Sequence, residues 1–215
     1  DPHYAVTKLL CLENTISGKV QPQNHLEVLA NAAHKKNLKV HLDGARLFNA
    51  HIYTGASMES LTNCFDSVSL CLSKGLGAPI GSLLISDQTT IDKARRLRKM
   101  LGGGMRQVGV IASCGMYALK NNVQRLQDDH DNAKLLADGL SSISELSVDY
   151  GDNQTNMVFV NCPKEYREPL EKFLFDKEII TSNLDRGRLV CHLGITEKDI
   201  LFVIDSFKEY FKRAS

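Results

Sequence analysis

The chain has 215 residues, enough for one good-sized domain or two small ones, and 43% of them are hydrophobic, enough to bury a substantial core. Lys plus Arg number 26 against 25 Asp plus Glu, and this net charge of +1 argues against a nucleic acid, an anionic membrane or a polybasic substrate as partner and for ordinary small-molecule work. No apolar run approaches the ~20 residues that span a bilayer, and the opening DPHYAVTK lacks the basic and apolar sections of a signal peptide, so the sequence reads as cytoplasmic.

In chain order, KLLCLEN (8–14) is a short apolar run ending in polar residues, as a buried strand does at the edge of a sheet. Asn24 with Glu27 resembles a capping box, and Leu26, Leu29, Ala30 and Ala33 then recur at helical spacing as far as Lys36. LKVHLD (38–43) is the next strand. A connection containing a short helix leads to SVSLCL (67–72) and then GSLLIS (81–86), both strand-like. Strands alternating with crossovers predict α/β architecture.

From Thr89 to about Leu140 the pattern is helical, broken at Leu101-Gly102-Gly103-Gly104. Beyond it SELSVDY, NMVFVN, EIIT and RLVCHL are strand candidates around a helix near Pro169 to Asp176. Thr196 and Asp199 open a last helix whose Ile200, Ile204, Phe207 and Phe211 share one face. A domain boundary is expected near residue 125. The chain opens almost directly on a buried-type strand, so the sequence looks like the later part of a longer protein.

The six cysteines, Cys11, Cys64, Cys71, Cys114, Cys162 and Cys191, are scattered and form no C-x-x-C pair. They suit neither a zinc site nor a disulfide framework, and are read as reduced thiols with no metal.

Asp43 and Lys74 each end a predicted strand, and if those strands are parallel both side chains reach one edge of the sheet, where open α/β sheets bind ligands. They lie 31 residues apart, about one crossover unit. Taken alone, Asp43 serves equally as a strand-end cap and Lys74 as a solvated loop lysine, while Gly75, Gly77 and Gly81 fit either a close ligand approach or plain turns. Spacing alone leaves both open.

The wording of CLENT, HLDGARLFNA, SLCLSKGLGAPIGSLL, RKMLGGGMRQVG and YALKNNVQRLQDDHDNA closely resembles the low-specificity L-threonine aldolases, a group within the aspartate aminotransferase-like pyridoxal-phosphate enzymes, over essentially the whole chain. The resemblance implies the later part of a fold-type I large domain (1–125), with a mostly parallel sheet and helices, plus a small C-terminal α+β domain (126–215). It also implies a pyridoxal 5′-phosphate cofactor, homodimers or homotetramers, and cleavage of L-threonine or L-allo-threonine to glycine and acetaldehyde, a step of threonine catabolism and glycine formation.

By the same resemblance Lys74 is the Schiff-base lysine, and Asp43 faces the pyridine nitrogen, where a carboxylate favours the protonated ring that acts as an electron sink. Arg46 and Arg188 match the family's substrate-carboxylate arginines, whose planar forks suit two parallel hydrogen bonds. Lys99 and Arg106 flank the triple glycine and match basic residues near substrate and cofactor, although Lys99 also fits the solvated face of a helix. His3 matches a histidine near the substrate hydroxyl, where it takes the proton or holds a water.

Two departures follow. Ile16 stands where many members carry histidine after ENT. The ring-stacking histidine and the glycine-threonine phosphate loop, which in the family precede CLENT, are absent from these 215 residues, so weakened cofactor binding is expected. Rival readings are another fold-type I lyase, β-eliminating or serine hydroxymethyltransferase-like, and a catalytically inert fragment or paralogue.

Overall fold

Side-chain alternation along short strands organises the first part of the molecule. The computed structural model describes residues 3–181 and 183–214, and the chain divides into two compact units between Gln124 and Arg125. In the first unit β1 (Leu9–Glu13), β2 (Lys39–Asp43) and β3 (Ser67–Cys71) run parallel, and β4 (Ser82–Ser86) joins β3 antiparallel, giving the order β1-β2-β3-β4. The sheet is therefore mixed.

Val40, Leu42, Val68 and Leu70 fall on one face of that sheet and are buried. Ala30 and Ala33 of α1 (Gln23–His34) cover Val40, while Leu47 and Ala50 of α2 (Leu47–Thr54) and Leu61 of α3 (Met58–Thr62) cover Leu42, Val68 and Leu70. The alternate positions, among them Cys11, His41, Ser67, Ser69 and Cys71, are small or polar and partly or fully exposed. The expectation of a buried-type first strand is met in part: Leu10 and Leu12 are half-buried, while β1 lies at the edge of this sheet and Leu9 is 48% exposed.

The expected Asn24–Glu27 capping box does not form either. The helix starts two residues earlier behind Pro22, whose φ of −59° sets the entry and whose carbonyl accepts from the His25 and Leu26 amides. Two helices rather than one bridge β2 and β3, because Gly55 takes the left-handed conformation (φ +67°) that ends α2, and Ser57 then caps α3 by accepting from the Ser60 amide. After β4, Asp87 caps α4 (Gln88–Met100), and α5 (Gly109–Asn121) follows the glycine break.

At the edge of the sheet where β2 begins, Asp66 ties three elements together. Its carboxylate accepts from the Val40 amide at 2.8 Å and from Lys39 Nζ at 2.7 Å and lies 2.9 Å from His34 Nε2, while its carbonyl accepts from Ser86 Oγ at 2.7 Å.

The second unit packs α6 (Leu126–Ser141), α7 (Lys164–Phe175) and α8 (Glu197–Ala214) with an antiparallel sheet of β5 (Ser147–Asp149), β6 (Met157–Asn161) and β7 (Gly187–Val190). Its core joins Leu136, Leu140, Val158, Val160, Leu170, Leu174 and the expected α8 face of Ile200, Ile204, Phe207 and Phe211. The α8 capping box does form, with Thr196 N–H donating to Asp199 Oδ2 at 2.9 Å and Asp199 N–H to Thr196 Oγ1 at 3.3 Å. EIIT, by contrast, is not a strand. Glu178 adopts φ +62° and Ile179 N–H returns to the Leu174 carbonyl, so these residues close α7 instead of extending. No helix among the described residues is long and apolar enough to cross a membrane.

Burial pushes the Asp66 carboxyl up, but its bonds to Lys39, His34 and the Val40 amide outweigh that and hold it at about 2, against an ordinary 3.8. Its stabilising contribution is complete above about pH 4 and is lost as pH falls from about 4 to 2, because the unfolded chain takes up the proton first. Asp66→Asn is expected to lower the unfolding free energy at pH 7 by about 1–3 kcal/mol and to flatten that acid limb. Urea melts from pH 7 to pH 2 measure both; a variant that follows the parent at every pH would show that the clamp carries no stability.

Candidate active site

Parallel pairing carries the ends of β1, β2 and β3 to one edge. Glu13 lies opposite Asp43 and Asp43 opposite Ser69 in the ladder. Beyond the strands two further bonds keep the chains together: Asn14 N–H donates to the Asp43 carbonyl at 3.1 Å, and Gly44 N–H to the Ser69 carbonyl at 2.9 Å. Position 44 has no room for a side chain, since a Cβ there would stand 2.9 Å from the Ser69 carbonyl oxygen and 3.2 Å from both Leu47 Cβ and Leu70 Cδ2. Glycine is required by this close approach.

The chain turns at once after the strand. Asp43 Oδ1 accepts from the Ala45 amide at 3.0 Å, an Asx turn that fixes the carboxylate at the end of β2 and leaves it exposed. Half-buried Arg46 sits at the N-cap position of α2, and its carbonyl accepts from the Asn49 amide at 2.9 Å.

Lys74 rides on the loop between β3 and β4. Leu72, Leu76 and Ala78 are buried and anchor that loop, whereas Lys74 is exposed. Leu72 N–H donates to Gly81 O and Ala78 N–H to Leu72 O, while Gly77 (φ +73°) folds back so that its amide donates to the Lys74 carbonyl at 2.9 Å. Helix α5 presses on the same loop: Asn122 Nδ2 donates to the Leu76 carbonyl at 2.8 Å, and Gly115 leaves the space that Leu72 Cδ1 occupies. An amine is thereby presented on a seated loop, beyond the strand next to the one that ends in Asp43.

The other residues singled out from the sequence are more dispersed. Lys99 lies in the last turn of α4 and is exposed, and its chain folds against Gly104, where a Cβ would meet Nζ at 2.8 Å. Arg106 is exposed on the connection between α4 and α5, and His3 is exposed near the chain start. Arg188 is exposed on β7, opposite Phe159, in the second unit. The fold therefore brings Asp43, Arg46 and Lys74 to one edge of the first sheet, and neither Lys99, Arg106 nor His3 belongs to the strand ends that build it.

Asn14 and Thr15, which the sequence did not single out, are buried at that edge. Asn14 Oδ1 accepts from the Gln21 amide at 3.1 Å, but Asn14 Nδ2 and Thr15 Oγ1 have no hydrogen-bond partner among the described residues. The polar end of CLENT was the available signal; the burial that makes it costly was not.

Against known proteins, the family model described as Beta-eliminating lyase matches residues 1–163. The low specificity L-threonine aldolase of Escherichia coli O157:H7 is 43% identical over 213 residues, which is 99% of this chain and 63% of that protein. The chain thus spans less than two thirds of this relative's length. Among solved structures, the Leishmania major threonine aldolase superposes with a TM-score of 0.79 at 18% identity over 98% of this chain and 63% of its own. The K265A serine palmitoyltransferase of S. paucimobilis, solved with a pyridoxal-phosphate–myriocin aldimine, gives 0.71 at 19% identity over 97% and 55%. The two structures share the fold with this chain.

Gly44→Ala is expected to force the ends of β2 and β3 apart, costing about 1–3 kcal/mol of stability, the usual range for overpacking. Amide hydrogen exchange at residues 42–44 and 69–71 should accelerate with it. Unchanged exchange and stability would show that the close approach constrains nothing.

Proposed function

The chain belongs to the beta-eliminating lyase family, and from that premise we propose that it is a threonine aldolase-type carbon-carbon lyase, cleaving L-threonine and L-allo-threonine to glycine and acetaldehyde with pyridoxal 5′-phosphate as cofactor. The observation that carries this reading is the pairing of an exposed carboxylate, Asp43, with an exposed amine, Lys74, beyond the ends of adjacent parallel strands. The donor set fits the cofactor. A carboxylate suits a ring nitrogen, a primary amine suits an aldehyde, and a neighbouring arginine suits the carboxylate of an amino acid.

When bound, the cofactor supplies a sink for the electron pair released as the Cα–Cβ bond breaks. In this reading Lys74 would hold the cofactor by its aldehyde group. Asp43, with Oδ1 engaged by the Ala45 amide, keeps the ring nitrogen protonated through its carboxylate charge. Arg46 grips the substrate carboxylate by its planar fork and so orients the bond to be broken. His3, directly or through a water, takes the β-hydroxyl proton as the C–C bond breaks; the aldehyde leaves, and Cα is then protonated to give glycine. Arg188 is a second carboxylate ligand by resemblance alone, and Lys99 and Arg106 supply positive charge for substrate and cofactor.

The assembly proposed is a homodimer or homotetramer. The apolar side chains of Met100, Leu101, Val110 and Met116, each more than 70% exposed on or beside α4 and α5, support it. Six free thiols, two of them buried, support a reducing, cytoplasmic setting. The family's own description favours a second reading, β-elimination, which the products separate: glycine with an aldehyde for the aldolase, pyruvate with ammonia for the alternative.

Titration of the 215-residue chain with pyridoxal phosphate should develop visible absorbance, and threonine should then yield glycine. Lys74→Ala is expected to abolish both, and a variant that kept the absorbance and the turnover would overturn the assignment.

A further inference from the structure

Helix α4 and the polar face of the first sheet enclose a cavity of about 420 Å³ that none of the roles above uses. Its floor includes Ser69, which lies opposite Asp43 in the ladder, and Ser82, which lies opposite Cys71. Arg95 and Arg98, one turn apart on α4, line its wall.

The hydroxyls of Ser69 and Ser82 and the guanidinium of Arg98 take part in no hydrogen bond or ion pair among the described residues. Arg98 is also held in place: Gly103 N–H donates to its carbonyl at 2.8 Å, and a Cβ at Gly103 would stand 2.7 Å from Arg98 Cγ, so the glycine leaves the space in which the arginine stem lies. Among the described residues Arg95 is engaged only by Asp92, at 3.5 Å with both side chains more than 60% exposed, a solvent-screened pair that a multiply charged anion displaces at little cost. Asp92 itself also accepts from Gln88 Nε2 at 2.7 Å, and Asp87 is taken up by Thr90.

Two guanidiniums and two hydroxyls line this cavity beside Leu83, Leu84, Ile91 and Ala94, and among the described residues Asp92, on Arg95, is the one acceptor that engages any of them. Their chemistry matches a tetrahedral oxyanion, whose several oxygens take guanidinium forks and hydroxyl donors at once. We propose that this cavity between α4 and the β3–β4 face binds a phosphate group, as the free dianion or as a phosphate monoester. The assignment stands on the geometry of this cavity; only the possibility that the monoester is the cofactor's own rests on the aldolase reading.

The test titrates the full 215-residue chain with inorganic phosphate, following backbone amides by heteronuclear NMR against sodium chloride at matched ionic strength. Saturable shifts grouped at residues 69, 82–84 and 94–98 are expected with phosphate and not with chloride. Arg98→Gln should weaken binding at least tenfold, and Arg95→Gln with Arg98→Gln should abolish it. Both sites are exposed, so circular dichroism checks that the fold is retained. Shifts absent from those residues, or equal affinity in the double variant, would overturn the proposal.

Pyridoxal phosphate and pyridoxal then identify the source. Loss in Arg98→Gln of the advantage of the phosphorylated over the unphosphorylated form assigns the site to the cofactor's phosphate; an advantage that survives while inorganic phosphate binding falls assigns it to a separate phosphate compound. Because Lys74→Ala removes the coloured species without touching these donors, failure of the aldolase reading leaves the phosphate titration intact.

Discussion

The contact on which the first unit depends is the approach of the end of β2 to β3 at Gly44. The amide of this residue donates to the Ser69 carbonyl, and the space a Cβ would need is filled by that oxygen, Leu47 and Leu70. Three consequences follow from one missing side chain. The parallel ladder stays closed up to Asp43, Asp43 can turn at once onto the Ala45 amide, and α2 can start at Arg46 with Leu47 already in the core. Asp43 and Arg46 are thus set three residues apart by the packing of the backbone that carries them.

The same device recurs at Lys74, Arg98 and Lys99. Gly77 and Gly81 let the loop carrying Lys74 fold over its own buried leucines, and Gly115 lets α5 press on it. Gly103 and Gly104 receive the stems of Arg98 and Lys99. A glycine costs backbone entropy, and here that cost is offset by the packing of the apolar Arg98 and Lys99 stems against the backbone.

The second unit buries ionisable groups beside its core. Asp129 is fully buried on α6. Burial pushes its carboxyl up and Arg125, one turn earlier and bonded to it, counters that. Burial also pushes His130 down to about 4, so it is neutral at physiological pH. Asn156 holds β6 to the end of β7, donating from Nδ2 to the Cys191 carbonyl while its own carbonyl accepts the Cys191 amide. Groups of this kind are costly unless each finds a partner, which makes the packing of this unit specific as well as stable.

Much of this was legible along the chain. Apolar alternation located β2, β3 and β6, the Thr196 and Asp199 pair located the start of α8, and the triple glycine located the break after α4, because each is a local signal whose physics acts within a few residues. The family wording likewise picked out Asp43, Arg46 and Lys74. Local signals failed where a neighbour intervened: Pro22 displaced the expected Asn24 cap, and the closing turn of α7 claimed EIIT, since satisfying orphan helix carbonyls took those residues before any sheet could. Only the tertiary structure decided that Asp43 and Lys74 share an edge, that one face of the sheet is small and polar, and that Ser69, Ser82, Arg95 and Arg98 surround one cavity. Register and helix placement bring together residues 13 to 31 positions apart in sequence, and no window of local pattern contains that information.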